Sequence, residues 1–253
     1  MRFGILKAGT ASRRTQARLG DVDAMFRTLL ARPGEQWETF DVEHGQFPAR
    51  LHGFAGLVVT GSPAAVFDDP PWIRRLLDTI RAAHAAEVPL LGICFGLQAC
   101  AQALGGEVVR NPAGWDIGMA TLDLSEAGRR HPALSQAPQP LRILETHSDI
   151  AVRTPPGAVV LASSPRTPVE IFTLGERVLC LQGHPEMDNA MVSELLEKRA
   201  QLGLFDAERA AEGRASLLQQ PARAFLQDWL QRYLHEAALS RGRIAAPPIA
   251  SAR

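Results

Sequence analysis

A cysteine between two glycines separates a predicted strand from a predicted helix, and this arrangement constrains the chain more than any other feature. The apolar run at residues 89–93 is typical of a buried strand, and residues 95–104 show the apolar spacing of a helix. Cys94 lies between them, with Gly92 and Gly96 two residues away on either side. A nucleophile on such a tight turn needs glycine neighbours, because a Cβ there would collide with the adjacent strand and helix.

The other two cysteines lack this setting. Cys100 lies inside the predicted helix and Cys180 lies in the apolar run 178–181, where a free cysteine is ordinarily a small buried apolar residue. The positive end of the helix dipole favours a thiolate at Cys94. We therefore predict that Cys94 is a catalytic nucleophile and that the other two cysteines are structural.

Composition excludes several classes of partner. The chain has 27 basic and 27 acidic residues, so it has no net field to attract nucleic acid or an anionic membrane. Its three cysteines do not suggest a disulfide framework, which indicates a reducing compartment. No signal-peptide run opens the sequence, and no stretch approaches the roughly 18 apolar residues of a membrane span. We expect a cytoplasmic protein.

Strands and helices largely alternate in the first hundred residues. The predicted strands are 3–6, 37–42, 54–60 and 89–93, and the predicted helices are 21–31, 71–86 and 95–104. This order predicts an α/β fold with an open, mostly parallel central sheet and helices on both faces. Further short strands predict a small antiparallel or mixed extension; they are 118–124, 141–146, 158–162, 169–173 and 178–182.

The C-terminal part is predicted to be helical, with helices at 191–202 and 217–239. The second helix carries an apolar stripe, which more often packs into a core than binds a partner; its members are Phe225, Leu226, Trp229, Leu230, Tyr233 and Leu234. We expect a catalytic domain over residues 1–202, a helical extension over residues 203–241 packed on it or on a partner, and a flexible tail over residues 242–253.

A candidate base follows the last predicted strand. His184 stands where a strand of a parallel sheet delivers its end to the active-site edge. Pro185 favours an extended conformation at His184, so the side chains of His184 and Glu186 point the same way. A carboxylate in that position can hold the imidazole and stabilise the imidazolium. The competing interpretation is a simple turn. Five other histidines are predicted to be surface residues: His44, His52, His84, His131 and His235.

Attack by a thiolate creates an oxyanion, which needs backbone N–H donors. The N–H of Phe95 is one candidate. The other is Gly61, in the turn 60–63 after the third predicted strand, because glycine can turn its N–H toward a ligand without steric cost. An ordinary strand-to-loop turn is the competing interpretation of this segment.

Four motifs occur in a fixed order: Thr-Gly-Ser-Pro at 60–63, Gly-Ile-Cys-Phe-Gly-Leu-Gln at 92–98, His-Ser-Asp at 147–149 and Gln-Gly-His-Pro-Glu at 182–186. Together they resemble the class I (triad-type) glutamine amidotransferases over about residues 1–200. The resemblance implies that family's flavodoxin-like fold. It also implies that Cys94 attacks a γ-glutamyl amide, that His184 transfers the proton and that Glu186 orients His184. A glutamyl thioester would form, and water would release glutamate.

The resemblance further implies a substrate pocket. Gln98 would help to hold the amino-acid end of the substrate, Ser62 would also bind the substrate, and His147, Ser148 and Asp149 would line the pocket. A purely structural role for His147 is the alternative. No cofactor is implied, and no metal is expected, since no His, Cys and carboxylate cluster has ligand spacing.

Two departures point to the stand-alone branch of this family, which includes plant γ-glutamyl peptidases and proteins similar to the glutaminase half of GMP synthetase. Gly183 occupies the position before the catalytic histidine where members with a dedicated synthetase commonly have an aromatic residue. Residues 203–253 also lack a Gly-rich phosphate loop. We expect the absence of a side chain at Gly183 to leave space beside the leaving group.

The leading hypothesis is therefore cysteine-dependent hydrolysis of a γ-glutamyl amide, either glutamine or a γ-glutamyl conjugate, by a protein that works alone. One alternative is a glutaminase subunit that delivers ammonia to a separate synthetase. Two others are a non-catalytic regulatory homologue and a cysteine protease of unrelated fold.

Overall fold

The computed structural model describes residues 1–244, and the side chains of residues 1–240. The strands are β1 Arg2–Lys7, β2 Gln36–Asp41, β3 Gly56–Val59, β4 Leu90–Ile93, β5 Glu107–Arg110, β6 Asp116–Leu124, β7 Leu141–His147, β8 Asp149–Arg153, β9 Val159–Ser163, β10 Ile171–Leu174 and β11 Val178–Leu181. The helices are α1 Arg13–Leu19, α2 Val22–Leu30, α3 Pro71–Ala85, α4 Phe95–Ala103, α5 Glu126–Arg130, α6 Asn189–Gln201, α7 Ala207–Ser216 and α8 Arg223–Ile244.

A nine-stranded sheet organises the described residues, in the order β2-β1-β3-β4-β11-β10-β9-β6-β7. The strands from β2 to β11 in this order pair in parallel, and those from β11 to β7 pair antiparallel. β5 and β8 form a separate antiparallel pair. The arrangement confirms the predicted α/β fold with its parallel sheet, antiparallel extension and C-terminal helices.

The central strands are buried on both faces, which explains their continuous apolar sequences. Every residue of β3, β4 and β11 is buried. On one face, side chains of α3 and α4 pack against the sheet, among them Leu76, Ile80 and Leu97. On the other face, α2 and α8 supply Phe26, Leu30 and Trp229. The sheet edge at which Cys94 follows β4 therefore lies between two helical layers.

Five short elements escaped prediction from sequence: α1, β5, α5, β8 and α7. α1 buries only Thr15, and α7 buries only Ala210 and Gly213, so neither shows an apolar stripe. The start of the last helix was also predicted wrongly at residue 217. Pro221 favours extended chain at the residue before it, and α8 begins at Arg223.

α8 packs on the same domain that carries the parallel sheet. Leu226, Leu230 and Leu234 are at most 1% exposed and lie in one apolar cluster with Phe3 and Ile5 of β1. His235 binds Glu35 beside the start of β2, so it is not the surface residue that the sequence suggested. The division of the chain at residue 202 stays a prediction.

The end of α8 differs from the expected tail. Residues 242–244 continue this helix, and the rest of the predicted flexible tail lies outside the described residues. Within residues 1–244, none of the helices combines the length and the apolar character that a membrane span requires.

The packing of α8 predicts different effects for two leucines on this helix. Leu230→Ala removes a side chain that is 0% exposed, whereas Leu239 is 53% exposed. We expect Leu230→Ala to lower the free energy of unfolding by about 2–5 kcal/mol, because it leaves a cavity in the core. Leu239→Ala should change it by less than about 0.5 kcal/mol. Urea unfolding of both variants measures the difference, and equal effects would contradict the packing.

Candidate active site

Cys94 sits on a strained turn between the end of β4 and the start of α4. Its φ of 55° and ψ of −108° are unusual for a residue with a side chain. Its backbone N–H donates to the carbonyl oxygen of Leu181 at 2.8 Å, and the residue is 5% exposed. Backbone strain of this kind is found at functional sites, where surrounding structure enforces it. The sheet thus presents the thiol at the carboxyl edge of its parallel strands.

The two flanking glycines are required by close packing. A Cβ on Gly96 would lie 2.1 Å from the carbonyl oxygen of Val59, and a Cβ on Gly92 would lie 2.6 Å from the carbonyl oxygen of Gly96. Both distances are far shorter than van der Waals contact. The collision expected from the sequence is therefore present in the structure, and the turn can hold Cys94 only with glycine at both positions.

His184 and Glu186 follow β11 and meet through their side chains. Nδ1 of His184 lies 2.7 Å from Oε1 of Glu186, and both residues are 3% exposed. Nε2 of His184 is buried, and none of the described residues forms a hydrogen bond with it that meets the usual geometric limits. The Cys94 thiol is close enough to influence the imidazole electrostatically and through hydrogen bonding. Loose contacts of this kind are common in active sites without substrate.

The electrostatics of this group favour an imidazolium. Burial by itself lowers the pKa of His184, but the negative charges of Glu186 and Cys94 outweigh it and raise that pKa well above its usual range. A histidine that holds a proton next to a cysteine can stabilise a thiolate and later protonate a leaving group.

The two predicted oxyanion donors lie beside the nucleophile. A Cβ on Gly61 would lie 3.1 Å from Cε1 of His184 and 3.8 Å from Cβ of Cys94. Phe95 directly follows Cys94 and is the first residue of α4, where a backbone N–H has no acceptor within the helix. The segment that carries Gly61 therefore runs along the reacting groups, although its role stays a prediction.

A cavity of about 250 Å³ opens onto Cys94. All five predicted substrate-binding residues line it: Ser62, Gln98, His147, Ser148 and Asp149. Other lining residues had no motif to reveal them in the sequence: Asp68, Arg110, Trp115, Thr146, Arg199 and Leu204. The fold thus gathers residues from distant parts of the chain around one thiol.

Gln98 and His147 hold the wall of this cavity. The side-chain amide of Gln98 donates to the carbonyl oxygen of Asp149 at 2.8 Å. Nδ1 of His147 lies 3.1 Å from the same oxygen, and its Nε2 lies 3.2 Å from Oε2 of Glu145. Both ring nitrogens of His147 thus lie against groups of the protein, which favours the structural alternative for this histidine.

Behind that wall lies a pair of buried acids, Glu145 and Glu170, that sequence reasoning missed. They are 0% and 1% exposed. Burial raises the pKa of both carboxyl groups well above the usual range, and the charge of Glu145 raises that of Glu170 further.

Gly183 does not leave open space beside the leaving group, so that expectation was wrong. A Cβ on Gly183 would lie 2.4 Å from Oε1 of Glu145 and 2.7 Å from Cγ1 of Ile143. The missing side chain makes room for these two β7 residues. The packing of a neighbouring strand, which cannot be read from the local motif, decides the role of this glycine.

Other features of the described residues offer no competing reaction centre. A cavity of about 520 Å³ near Tyr233 and Glu236 is lined by none of the predicted site residues. Among residues 1–240, whose side chains are described, no group of three His, Cys, Asp or Glu residues is arranged to hold a metal ion.

Comparison with known proteins agrees with this geometry. The family model described as glutamine amidotransferase class-I matches residues 26–199. A protein named gamma-glutamyl peptidase 3 from Arabidopsis thaliana is 30% identical over 239 residues, covering 92% of this chain and 96% of that protein. A GMP synthase (glutamine-hydrolyzing) from Symbiobacterium thermophilum is 35% identical over 54% of this chain and 26% of its own length.

A solved structure extends the similarity to the fold. The crystal structure of a glutamine amido transferase from Methylobacillus flagellatus superposes with a TM-score of 0.71 at 25% identity, covering 95% of this chain and 94% of that one. The matched residues 26–199 contain the turn that carries Cys94, the His-Ser-Asp segment and the His-Pro-Glu segment. The resemblance seen in the sequence is confirmed: this chain belongs to the class I glutamine amidotransferase family.

Proposed function

We propose that this protein hydrolyses γ-glutamyl amide bonds through a glutamyl thioester on Cys94. The observation that carries the proposal is the placement of His184, whose Nδ1 is bound to Glu186 at 2.7 Å while its buried Nε2 is left for the thiol. This arrangement of nucleophile, base and orienting carboxylate is the one that covalent hydrolysis requires. It favours an enzyme over a non-catalytic homologue.

In the proposed reaction, the sulfur of Cys94 attacks the side-chain carbonyl carbon of the substrate, and His184 holds the thiol proton. The backbone N–H groups of Gly61 and Phe95 stabilise the resulting oxyanion. His184 then protonates the amide nitrogen, the C–N bond breaks and an amine leaves. Water, deprotonated by His184, attacks the thioester, the C–S bond breaks and glutamate is released. His184 returns its proton to the sulfur of Cys94. Throughout, Glu186 holds the imidazole in position.

The γ-glutamyl end of the substrate is a zwitterion, and the cavity offers a matching pair of charges. Nη1 of Arg110 lies 2.9 Å from Oδ1 of Asp149. The carboxylate suits the α-ammonium group and the guanidinium suits the α-carboxylate. Ser62, Gln98 and Ser148 line the same cavity. We assign this side of the cavity to the γ-glutamyl group.

The similarity along the whole chain favours a protein that works alone. The match to gamma-glutamyl peptidase 3 runs along nearly the full length of both chains, whereas the match to the GMP synthase covers 26% of that protein. Delivery of ammonia to a separate synthetase is the second candidate. The three cysteines, all free thiols, support a cytoplasmic location.

Replacement of the nucleophile tests the reaction. We expect Cys94→Ala to lower glutamate release from γ-glutamyl amides by at least about 10³-fold, because no thioester can form. Cys100→Ala is the matched control and should retain most of the activity, since Cys100 is fully buried and does not line the cavity. Release of glutamate from glutamine and from several γ-glutamyl amides is the measurement.

Two other outcomes of this experiment have clear meanings. Undiminished turnover by Cys94→Ala would refute the proposed chemistry. If the intact protein released no glutamate although an electrophilic glutamine analogue labelled Cys94, a partner would be needed to activate the site, as the synthetase alternative requires.

Removal of the orienting carboxylate should change the titration of the base. In Glu186→Gln the influence of burial remains while the main opposing charge is lost, so the pKa of His184 should fall. The imidazolium would then lose its proton at lower pH than in the wild-type protein. We also expect kcat/KM to fall by roughly 10²-fold or more, because the ring loses its orientation.

NMR titration of the His184 ring measures this shift. Glu43→Gln, at an exposed position in the loop after β2, is the control and should leave the titration unchanged. An unaltered or raised pKa in Glu186→Gln would show that Glu186 does not stabilise the imidazolium.

A further inference from the structure

Two arginines line the cavity at Cys94, and they differ in their partners. The guanidinium of Arg110 is paired with Asp149. No carboxylate among the described side chains lies within salt-bridge distance of Arg199, which belongs to α6. Arg110 therefore has a carboxylate partner within the protein, whereas Arg199 has no carboxylate partner among the described side chains.

The surroundings of Arg199 hold its side chain in place without balancing its charge. Its guanidinium stacks over the ring of Trp115, 4.6 Å from the ring centroid, and donates to the hydroxyl oxygen of Thr146. Burial lowers the pKa of Arg199, and the charge of Cys94 opposes that effect. Since none of the described carboxylates pairs with this partly buried guanidinium, a carboxylate on the ligand would give it a partner in addition to the charge of Cys94.

The cavity continues on the Arg199 side. A second cavity, of about 350 Å³, shares Trp115 and Leu204 with the cavity at Cys94. The Arg110–Asp149 pair, which we assigned to the γ-glutamyl group, does not line this second cavity. Space beyond Trp115 is thus available to whatever is bonded to the other side of the scissile amide.

Charge matching then indicates what the leaving group carries. The γ-glutamyl end brings one positive and one negative charge, which the Arg110–Asp149 pair can match. Ammonia, the leaving group from glutamine, brings nothing that could bind Arg199. A leaving amine with its own carboxylate would supply the missing anion, since a guanidinium binds a carboxylate through two parallel hydrogen bonds.

We propose that Arg199 binds a carboxylate on the leaving amine, so that the preferred substrates are γ-glutamyl amino acids or γ-glutamyl peptides. This inference rests on the proposed function, which it narrows to one substrate class. Hydrolysis of such a substrate consumes one water and yields glutamate and a free amino acid or peptide. Arg199 is here a specificity-determining residue, and the bond-breaking steps need only Cys94 and His184.

A pair of substrates that differ in one group tests this role. γ-Glutamyl-alanine carries the carboxylate, γ-glutamyl-alaninamide replaces it with a neutral amide, and glutamine has no leaving-group side chain. We expect the wild-type protein to prefer γ-glutamyl-alanine over the alaninamide by about 10- to 100-fold in kcat/KM. Arg199→Gln should abolish this preference, and it should lower the turnover of γ-glutamyl-alanine by more than that of glutamine.

Two further variants separate this effect from a loss of folding. Arg199→Lys keeps the positive charge without the planar fork, and it should retain part of the preference. Arg214→Gln is the matched control, because Arg214 is paired with Glu197 away from the cavity and should leave all three rates unchanged. Urea unfolding of each variant shows whether it is folded at the assay temperature.

The proposal is overturned if the wild-type protein does not prefer the carboxylate. It is also overturned if Arg199→Gln lowers the turnover of glutamine as much as that of γ-glutamyl-alanine, since Arg199 would then bind the γ-glutamyl end. Failure of the proposed function gives a different result, namely no turnover of any substrate. Calorimetric binding of the two alanine derivatives to Cys94→Ala, with and without Arg199→Gln, would then decide the role of Arg199 alone.

Discussion

The close approach of α4 to β3 is the constraint on which the proposed active site depends. Where Gly96 faces the carbonyl oxygen of Val59, there is no room for a side chain, and the backbones pack directly. This contact forces the chain to reverse sharply after β4 and places Cys94 in its strained conformation. Backbone packing therefore determines the position of the thiol at the end of a buried strand.

The remaining reactive groups reach the thiol because β11 is the parallel neighbour of β4. Leu181 pairs with Ile93, so the two strands end together and their following residues meet at one edge. His184 and Glu186 follow the end of β11, and Cys94 follows the end of β4. On the next strand, β3, the same edge supplies Gly61. A single set of parallel pairings thus brings together the proposed nucleophile, base and orienting carboxylate with one candidate oxyanion donor.

Sequence reasoning worked where local geometry follows from backbone rules. The glycines around Cys94 and the extended His-Pro-Glu segment follow from sterics within a few residues, and the structure brings these groups together. It failed where contacts join distant segments. Arg199, Trp115 and the acids Glu145 and Glu170 lie far apart in the chain, and each is an unremarkable residue in its own segment. The space assigned to Gly183 was wrong for the same reason, because β7 fills it.

Gly183 and two residues of β7 therefore constrain one another. A side chain at position 183 could be accommodated only if Glu145 and Ile143 both moved or became smaller, since a Cβ there would collide with both of them. A shorter residue at position 145 would in turn leave Nε2 of His147 without the carboxylate that it contacts. Substitution of Gly183 alone is therefore not enough, and the inner wall of the cavity at Cys94 would have to be rebuilt with it.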